Sequence, residues 1–162
     1  MNTSRLWQIL ATVVVVGGAA WLMLASDEPM PNVTFNMVDG TTLASADLRG
    51  QSVLVNFWSV SCAVCLRDMP RLTALHDSLA DRRFSVIGVA MPSDPPPAVM
   101  AMVASKQPGY PIALDVHGEL ARAFGDVRVT PTSFLIDPAG NIRHTERGPL
   151  DEIRIRATLA TF

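Results

Sequence analysis

The sequence predicts an α/β domain, a mixed central sheet flanked by helices, behind one N-terminal transmembrane helix. Three observations predict it. The run from Leu6 to Ala25 is apolar and uncharged. Beyond it, β-rich runs alternate with stretches of helical periodicity, the pattern of a sheet covered on both sides. Near the C-terminus, two strand-like segments flank a tight turn and a last helix follows, which adds antiparallel neighbours to the sheet.

The chain has 162 residues, room for one domain or one domain with an appendage, since domains commonly run to roughly 100–200 residues. Only 17% of residues are charged and mean hydropathy is +0.27, which argues against intrinsic disorder. A net charge of -2 and a pI near 5.8 argue against a general nucleic-acid binder, which needs a basic surface.

Residues 1–28 are assigned to a membrane anchor and residues 29–162 to the folded domain. Within Leu6–Ala25 only Gln8 and Thr12 are polar, and about 20 apolar residues in a helix cross the ~30 Å hydrocarbon core once. Arg5 precedes the run while Asp27 and Glu28 follow it, so the positive-inside bias leaves the N-terminus in the cytoplasm. Trp7 and Trp21 stand near its two ends, where indoles are favoured. A cleaved signal peptide and a buried core helix are the alternatives. The run exceeds the usual h-region of about 7–15 residues, and neither a clean A-x-A site nor a lipid-accepting Cys follows it. Anchored or cleaved, the domain is expected outside the cytoplasmic membrane, in the periplasm or at the cell exterior.

The domain's elements follow in order. Asn32–Val38 and Thr41–Leu43 around Asp39-Gly40 make a hairpin extension. Ser45–Leu48 is one helical turn. Val53–Trp58 is an almost unbroken apolar run, as expected of a central strand covered on both faces. A helix from Cys62 to Leu79 carries Leu66, Met69, Leu72, Leu75 and Leu79 along one side, with Pro70 expected to kink it. Phe84–Met91 is a second buried strand. Pro95–Pro97 is expected to stiffen a loop before a short helix over Ala98–Lys106. Ile112–Leu114 is a strand, and Glu119–Phe124 a helix stopped by Gly125. Ser133–Ile136 and Asn141–Thr145 flank the turn Asp137–Gly140. A last helix, Leu150–Leu159, is expected to offer Leu150, Ile153 and Leu159 to the sheet.

The chemistry lies at the strand-to-helix junction. Cys62 and Cys65 are the chain's two cysteines. A bridge over two residues closes too small a loop to restrain the unfolded chain much, so stapling explains the pair poorly and redox chemistry explains it better. In an exported compartment such a disulfide can persist. Cys62 opens a helix, where unpaired amides and the dipole favour a thiolate. Cys65 lies one turn on, placed to attack a mixed disulfide formed at Cys62.

Phe57-Trp58-Ser59-Val60-Ser61-Cys62-Ala63-Val64-Cys65-Leu66-Arg67-Asp68-Met69-Pro70 resembles the F-W-A-x-x-C-x-x-C-x-x-E-x-P signature of the thioredoxin superfamily, in its membrane-anchored TlpA/ResA branch. Gly125–Asp137 is similar to that family's G-x-x-x-x-P-T-x-F-L-I-D segment. The likeness spans nearly everything after the anchor and implies a thioredoxin-like fold. It implies a cis Thr130–Pro131 peptide facing the cysteines, with the backbone before Pro131 pairing with an extended substrate. It also implies a protein disulfide oxidoreductase that works through the Cys62–Cys65 disulfide without any other cofactor. Such an enzyme is more often a reductase. Its partners are exported protein disulfides or thiols, such as apocytochrome c before haem ligation, and a membrane electron donor.

Three departures touch mechanism. Asn56 stands where cytosolic thioredoxins carry a buried acid, so that proton route is closed. Asp68 replaces the branch's usual Glu; proton exchange with Cys65 and a solvated helix-face carboxylate are its two readings. Ala63-Val64 lacks the proline common before the second cysteine, and this pair tunes reduction potential over roughly -270 to -120 mV among related folds. Trp58 is assigned to shaping substrate access beside the site. His76, His117 and His144 are expected at the surface.

Rival chemistries fall on spacing. Covalent haem attachment needs His where Leu66 stands, and structural zinc needs four ligands. A thiol peroxidase wants Thr where Ser59 stands. A copper carrier is the main alternative, because a dithiolate suits Cu(I), although relatives of that kind use a three-residue gap and a distal His. A redox-silent binding module is the last alternative.

Overall fold

Every residue of the strand Ser52–Trp58 is buried, and the sheet is laid down on both sides of it. The computed structural model describes residues 28–162. The anchor expected over residues 1–28 therefore lies outside the described residues, apart from Glu28. The described strands are β1 (Glu28–Pro29), β2 (Thr34–Asn36), β3 (Thr42–Ala44), β4 (Ser52–Trp58), β5 (Phe84–Ala90), β6 (Ile112–Leu114), β7 (Thr132–Ile136) and β8 (Asn141–Arg147). The helices are α1 (Ala63–Ser78), α2 (Pro96–Lys106), α3 (Glu119–Ala123) and α4 (Glu152–Leu159), with 3-10 turns at Ser45–Leu48 and Ala80–Arg82.

The main sheet has the order β1-β8-β7-β4-β5-β6. Strands β4, β5 and β6 run parallel, and β7 and β8 are antiparallel to their neighbours. β2 and β3 form the expected hairpin, with Phe35 opposite Leu43 and Gly40 at φ 85° in the turn. Its Met37 bridges Ala113 and ties the hairpin to β6. One pairing was not foreseen: Glu28, the last residue assigned to the anchor, lies opposite Ile142 in the sheet. Pro29 is tolerated there because β1 is an edge strand.

Period-two alternation divides the core between the two faces of the sheet. Leu54 and Trp58 of β4 join Phe84, Val86 and Ala90 of β5 under α1, α2 and α4. Val53, Val55 and Phe57 join Ile87 and Val89 on the other face, under α3 and the hairpin. There Phe124 packs at ring-centroid distances of 5.5 Å from Phe57 and 5.1 Å from Phe134, tilted or edge-on. This cluster seats the segment between α3 and β7.

Two expectations need correction. Pro96 and Pro97 do not stiffen a loop; they occupy the first turn of α2, with Pro95 as its N-cap. A proline there loses no helical hydrogen bond, and its fixed φ suits the first turn. Ile153 is 84% exposed, and Ile155 is the buried residue of α4. Leu150 and Leu159 do pack on the core as expected. The helix begins at Glu152, with the Asp151 carboxylate capping the Arg154 amide, so Leu150 precedes it and its three-residue spacing to Ile153 does not mark a helix face.

Two core polar groups make the fold testable. β6 covers only Gly88–Ala90 of β5, and upstream the Val86 amide donates to Nδ1 of His76 instead, at 3.1 Å. His76 is thus half-buried and bonded to the sheet, whereas His117 lies exposed as expected. His144 is half-buried as well. Tyr110 is buried with its hydroxyl unpartnered among the described residues. Burial raises its pKa, and the charge of Asp68 raises it further.

His76→Ala is expected to orphan the Val86 amide and to lower unfolding stability by about 1–3 kcal/mol; chemical denaturation measures it, and an unchanged midpoint would rule the bond out as a support. Tyr110 is the chain's one tyrosine. The folded phenol stays neutral where the unfolded one ionises, so its contribution is complete below about pH 10 and is lost as pH rises further. In Tyr110→Phe this alkaline loss should flatten. Thermal midpoints of the oxidised chain, followed from about pH 8 to about pH 11, would disprove that account if both proteins declined in parallel.

Candidate active site

Strand β4 delivers the site. Its last residue, Trp58, is followed by a turn in which the Cys62 amide donates to the Ser59 carbonyl at 3.1 Å. α1 begins at once, with Cys62 as its N-cap. The Cys62 sulfur accepts from the Cys65 amide at 3.2 Å, satisfying one of the donors a helix start leaves open. Cys62 and Cys65 are joined in a disulfide, with Cα atoms 5.2 Å apart.

The two sulfurs differ in access. Cys62 is half-buried, between exposed Ser61 and Ala63, whereas Cys65 is 2% exposed and belongs to the core. A partner approaching from solvent therefore meets Cys62 first. Val64 is half-buried between them. The helix runs on through Pro70 and buries Met69, Leu72 and Leu75 against the sheet.

The second half of the site arrives on β7. The antiparallel register sets Phe57 opposite Thr132 and Asn56 opposite Ser133. One further step brings Pro131 level with Trp58, at the same end of the sheet as the disulfide. The Thr130–Pro131 peptide is cis, as the resemblance implied. Pro131 is buried, Thr130 half-buried and Val129 55% exposed. Thr130 lies outside both ladders of β7, which begin at Thr132. The Gly148 amide donates to the Pro131 carbonyl at 2.8 Å and closes this loop from behind.

Asn56 is buried, and its amide nitrogen donates to Ser133 Oγ at 2.9 Å. It stitches the strand that carries the cysteines to the strand that follows the cis-proline. Ser133 was not singled out in the sequence, because a serine inside an apolar strand carries no chemical motif. Trp58 is only 1% exposed. Direct contact with a substrate, one sense of its expected role, is closed to it; the ring supports the site from below. Its indole nitrogen is within 3.3 Å of where a Cβ on Gly88 would stand, so the bare glycine makes room for it.

Asp68 is not a solvated carboxylate. It is 6% exposed, and both oxygens are engaged. Oδ1 accepts from Arg71 Nη1 at 2.8 Å and Oδ2 accepts from the Leu150 amide at 2.8 Å. Arg71 also donates to the Leu150 carbonyl at 3.0 Å. One turn beyond Cys65, this clamp fastens α1 to the segment leading into α4. Asp94, absent from the sequence expectations, accepts from Ser59 Oγ and from the Val60 amide, each at 2.8 Å.

Known proteins resemble this chain in sequence and in fold. The Redoxin family model matches residues 25–160. The chain is 27% identical over 160 residues to the thiol-disulfide oxidoreductase ResA of Bacillus cereus, with 91% of each chain covered. To the ResA of Bacillus subtilis it is 26% identical over 125 residues, covering 77% of this chain and 69% of that protein. The crystal structure of a thiol:disulfide interchange protein of the thioredoxin family from Chlorobium tepidum superposes with a TM-score of 0.75 at 29% identity, covering 85% of this chain and 97% of that one. With the family model spanning most of its length and thiol-disulfide oxidoreductases among its relatives, the chain belongs to the Redoxin family as a TlpA/ResA-like protein disulfide oxidoreductase of the thioredoxin superfamily.

Proposed function

We propose that the chain is a membrane-tethered disulfide reductase of exported proteins, with Cys62 attacking and Cys65 resolving. The difference in exposure between the two sulfurs carries this reading. In the reduced enzyme the Cys62 thiolate attacks one sulfur of a substrate disulfide. The other substrate sulfur leaves as a thiolate and takes up a proton. The Cys65 thiol gives up its proton and attacks Cys62 in the mixed disulfide, releasing the second substrate thiol. Two electrons and two protons reach the substrate, and Cys62–Cys65 is left oxidised. A membrane donor protein then returns two electrons to restore the dithiol.

The helix start supports the thiolate at Cys62, because the Cys65 amide donates to that sulfur and the helix dipole favours negative charge there. Thr130, outside the β7 ladders, offers its backbone to an extended substrate, and Pro131 holds that segment beside the disulfide. Asn56 keeps the two strands in register through Ser133. Asp68, one turn from Cys65, is the carboxylate assigned to exchange its proton. Ala63 and Val64 set the poise of the pair. The apolar run Leu6–Ala25 supports tethering to the cytoplasmic membrane with the domain outside. Cytochrome c maturation and the general maintenance of exported thiols are the two roles the resemblance offers.

Trapping tests the reading. Cys65→Ser should accumulate its substrate and its electron donor as mixed disulfides at Cys62, identifiable by mass spectrometry, while Cys62→Ser traps neither. Equal trapping by both variants, or stoichiometric Cu(I) uptake by a reduced chain that never exchanges with disulfides, would refute it. Asp68→Asn should slow release of glutathione from a Cys62 mixed disulfide roughly tenfold or more near neutral pH. The deficit should shrink in alkaline solution, where Cys65 ionises unaided. Equal rates at every pH would confine Asp68 to its clamp.

A further inference from the structure

The loop that presents Cys62 is anchored by a residue on a different loop. Asp94 follows β5, is 9% exposed, and is placed by its own amide donating to the Met91 carbonyl at 3.0 Å. The Met91 amide in turn donates to the Trp58 carbonyl at 2.9 Å. The carboxylate thus reaches the segment between β4 and α1 from a fixed base. Its Oδ1 takes the Ser59 hydroxyl and its Oδ2 takes the Val60 amide.

Donor arithmetic makes this arrangement directional. A serine hydroxyl has one hydrogen, and an ionised carboxylate only accepts. The Ser59 hydrogen is therefore committed to Asp94, and its oxygen is left to accept. It accepts from the Ser61 amide at 3.2 Å, and the Ser61 hydroxyl at 2.9 Å must be a donor too. Ser61 is the residue before Cys62. A single carboxylate is therefore linked to Ser59, Val60 and Ser61, the three residues that lead into Cys62.

We propose that Asp94 is a positioning residue for thiol–disulfide exchange: its two hydrogen bonds hold the 59–61 loop so that Cys62 stays at the N-cap of α1, with its sulfur on the Cys65 amide. Asp94 touches neither sulfur nor substrate in this role. It acts through Ser59 and Ser61. The proposal rests on the reading of Cys62 as the attacking sulfur. The bonds made by Asp94 are independent of that reading, since neither involves a cysteine side chain.

The test uses the full 162-residue chain and its Asp94→Ala, Ser59→Ala and Ser59→Thr variants. The rate of Cys62 alkylation by iodoacetamide is followed against pH in the reduced protein. Redox equilibrium with glutathione and the kcat and KM for reduction of a model disulfide complete the set. Releasing the loop weakens the helix-start support of the thiolate. Asp94→Ala should therefore raise the pH midpoint of alkylation and lower the rate near neutrality by about three- to tenfold. The glutathione equilibrium should move toward the protein disulfide, and kcat should fall with KM nearly unchanged. Ser59→Ala should move the same quantities the same way by less, because the Val60 bond survives. Ser59→Thr, which keeps the hydroxyl, should behave as wild type. If Asp94→Ala lowered thermal stability but left the alkylation profile in place, the residue would be a structural brace alone and the proposal would fail. A midpoint that moved down instead would show a plain negative charge opposing the thiolate, and would overturn it equally. Failure of the underlying reading looks different: the unaltered chain itself would not exchange with glutathione.

Discussion

The Cys62 sulfur occupies the place where a helix start needs an acceptor, and the rest of the architecture follows from keeping it there. A helix leaves its first amides unpaired, and a side-chain oxygen usually answers one of them. Here a sulfur does so, receiving the Cys65 amide. Local backbone demand and redox chemistry are met by one contact. The buried β4 strand points α1 at the surface, and the core face of α1 keeps Cys65 inside while Cys62 stays within reach. The difference in access between the two sulfurs is thus a result of packing.

Around that contact the site is assembled from segments tied to one another by hydrogen bonds. The Asn56–Ser133 bond fixes β4 against β7 and so fixes the cysteines against the cis-proline. Asp94 fastens the approach to Cys62, and Asp68 with Arg71 fastens the first turns of α1 to Leu150. All of these carboxylate contacts are made by buried acids to amides, hydroxyls or a guanidinium. Charged acceptors of this kind form stronger bonds than neutral ones, and losing a partner inside the core costs more than losing one at the surface.

What the sequence made legible was written in local pattern. The apolar run of β4, the cysteine spacing after it, the Asp39-Gly40 turn and the hairpin around Asp137–Gly140 each depend on neighbours within a few residues, and each stands where expected. The resemblance of the Gly125–Asp137 block carried the cis Thr130–Pro131 peptide. The contacts that escaped notice join distant positions. Val86 and His76 are 10 residues apart, Ser59 and Asp94 35, and Asp68 and Leu150 82. No periodicity links such residues, and an aspartate that will be buried reads like one that will be solvated. Ile153 failed for a neighbouring reason: Leu150 lies before the helix, so helical spacing counted from it does not reach the buried face, which Ile155 occupies.

The stretch from Gly148 to Leu150 touches both halves of the site, holding the Pro131 carbonyl at one end and the Asp68 carboxylate at the other. A displacement of this stretch would therefore disturb the cis-proline loop and the first turns of α1 together, which couples the two halves of the site through three residues that carry no thiol.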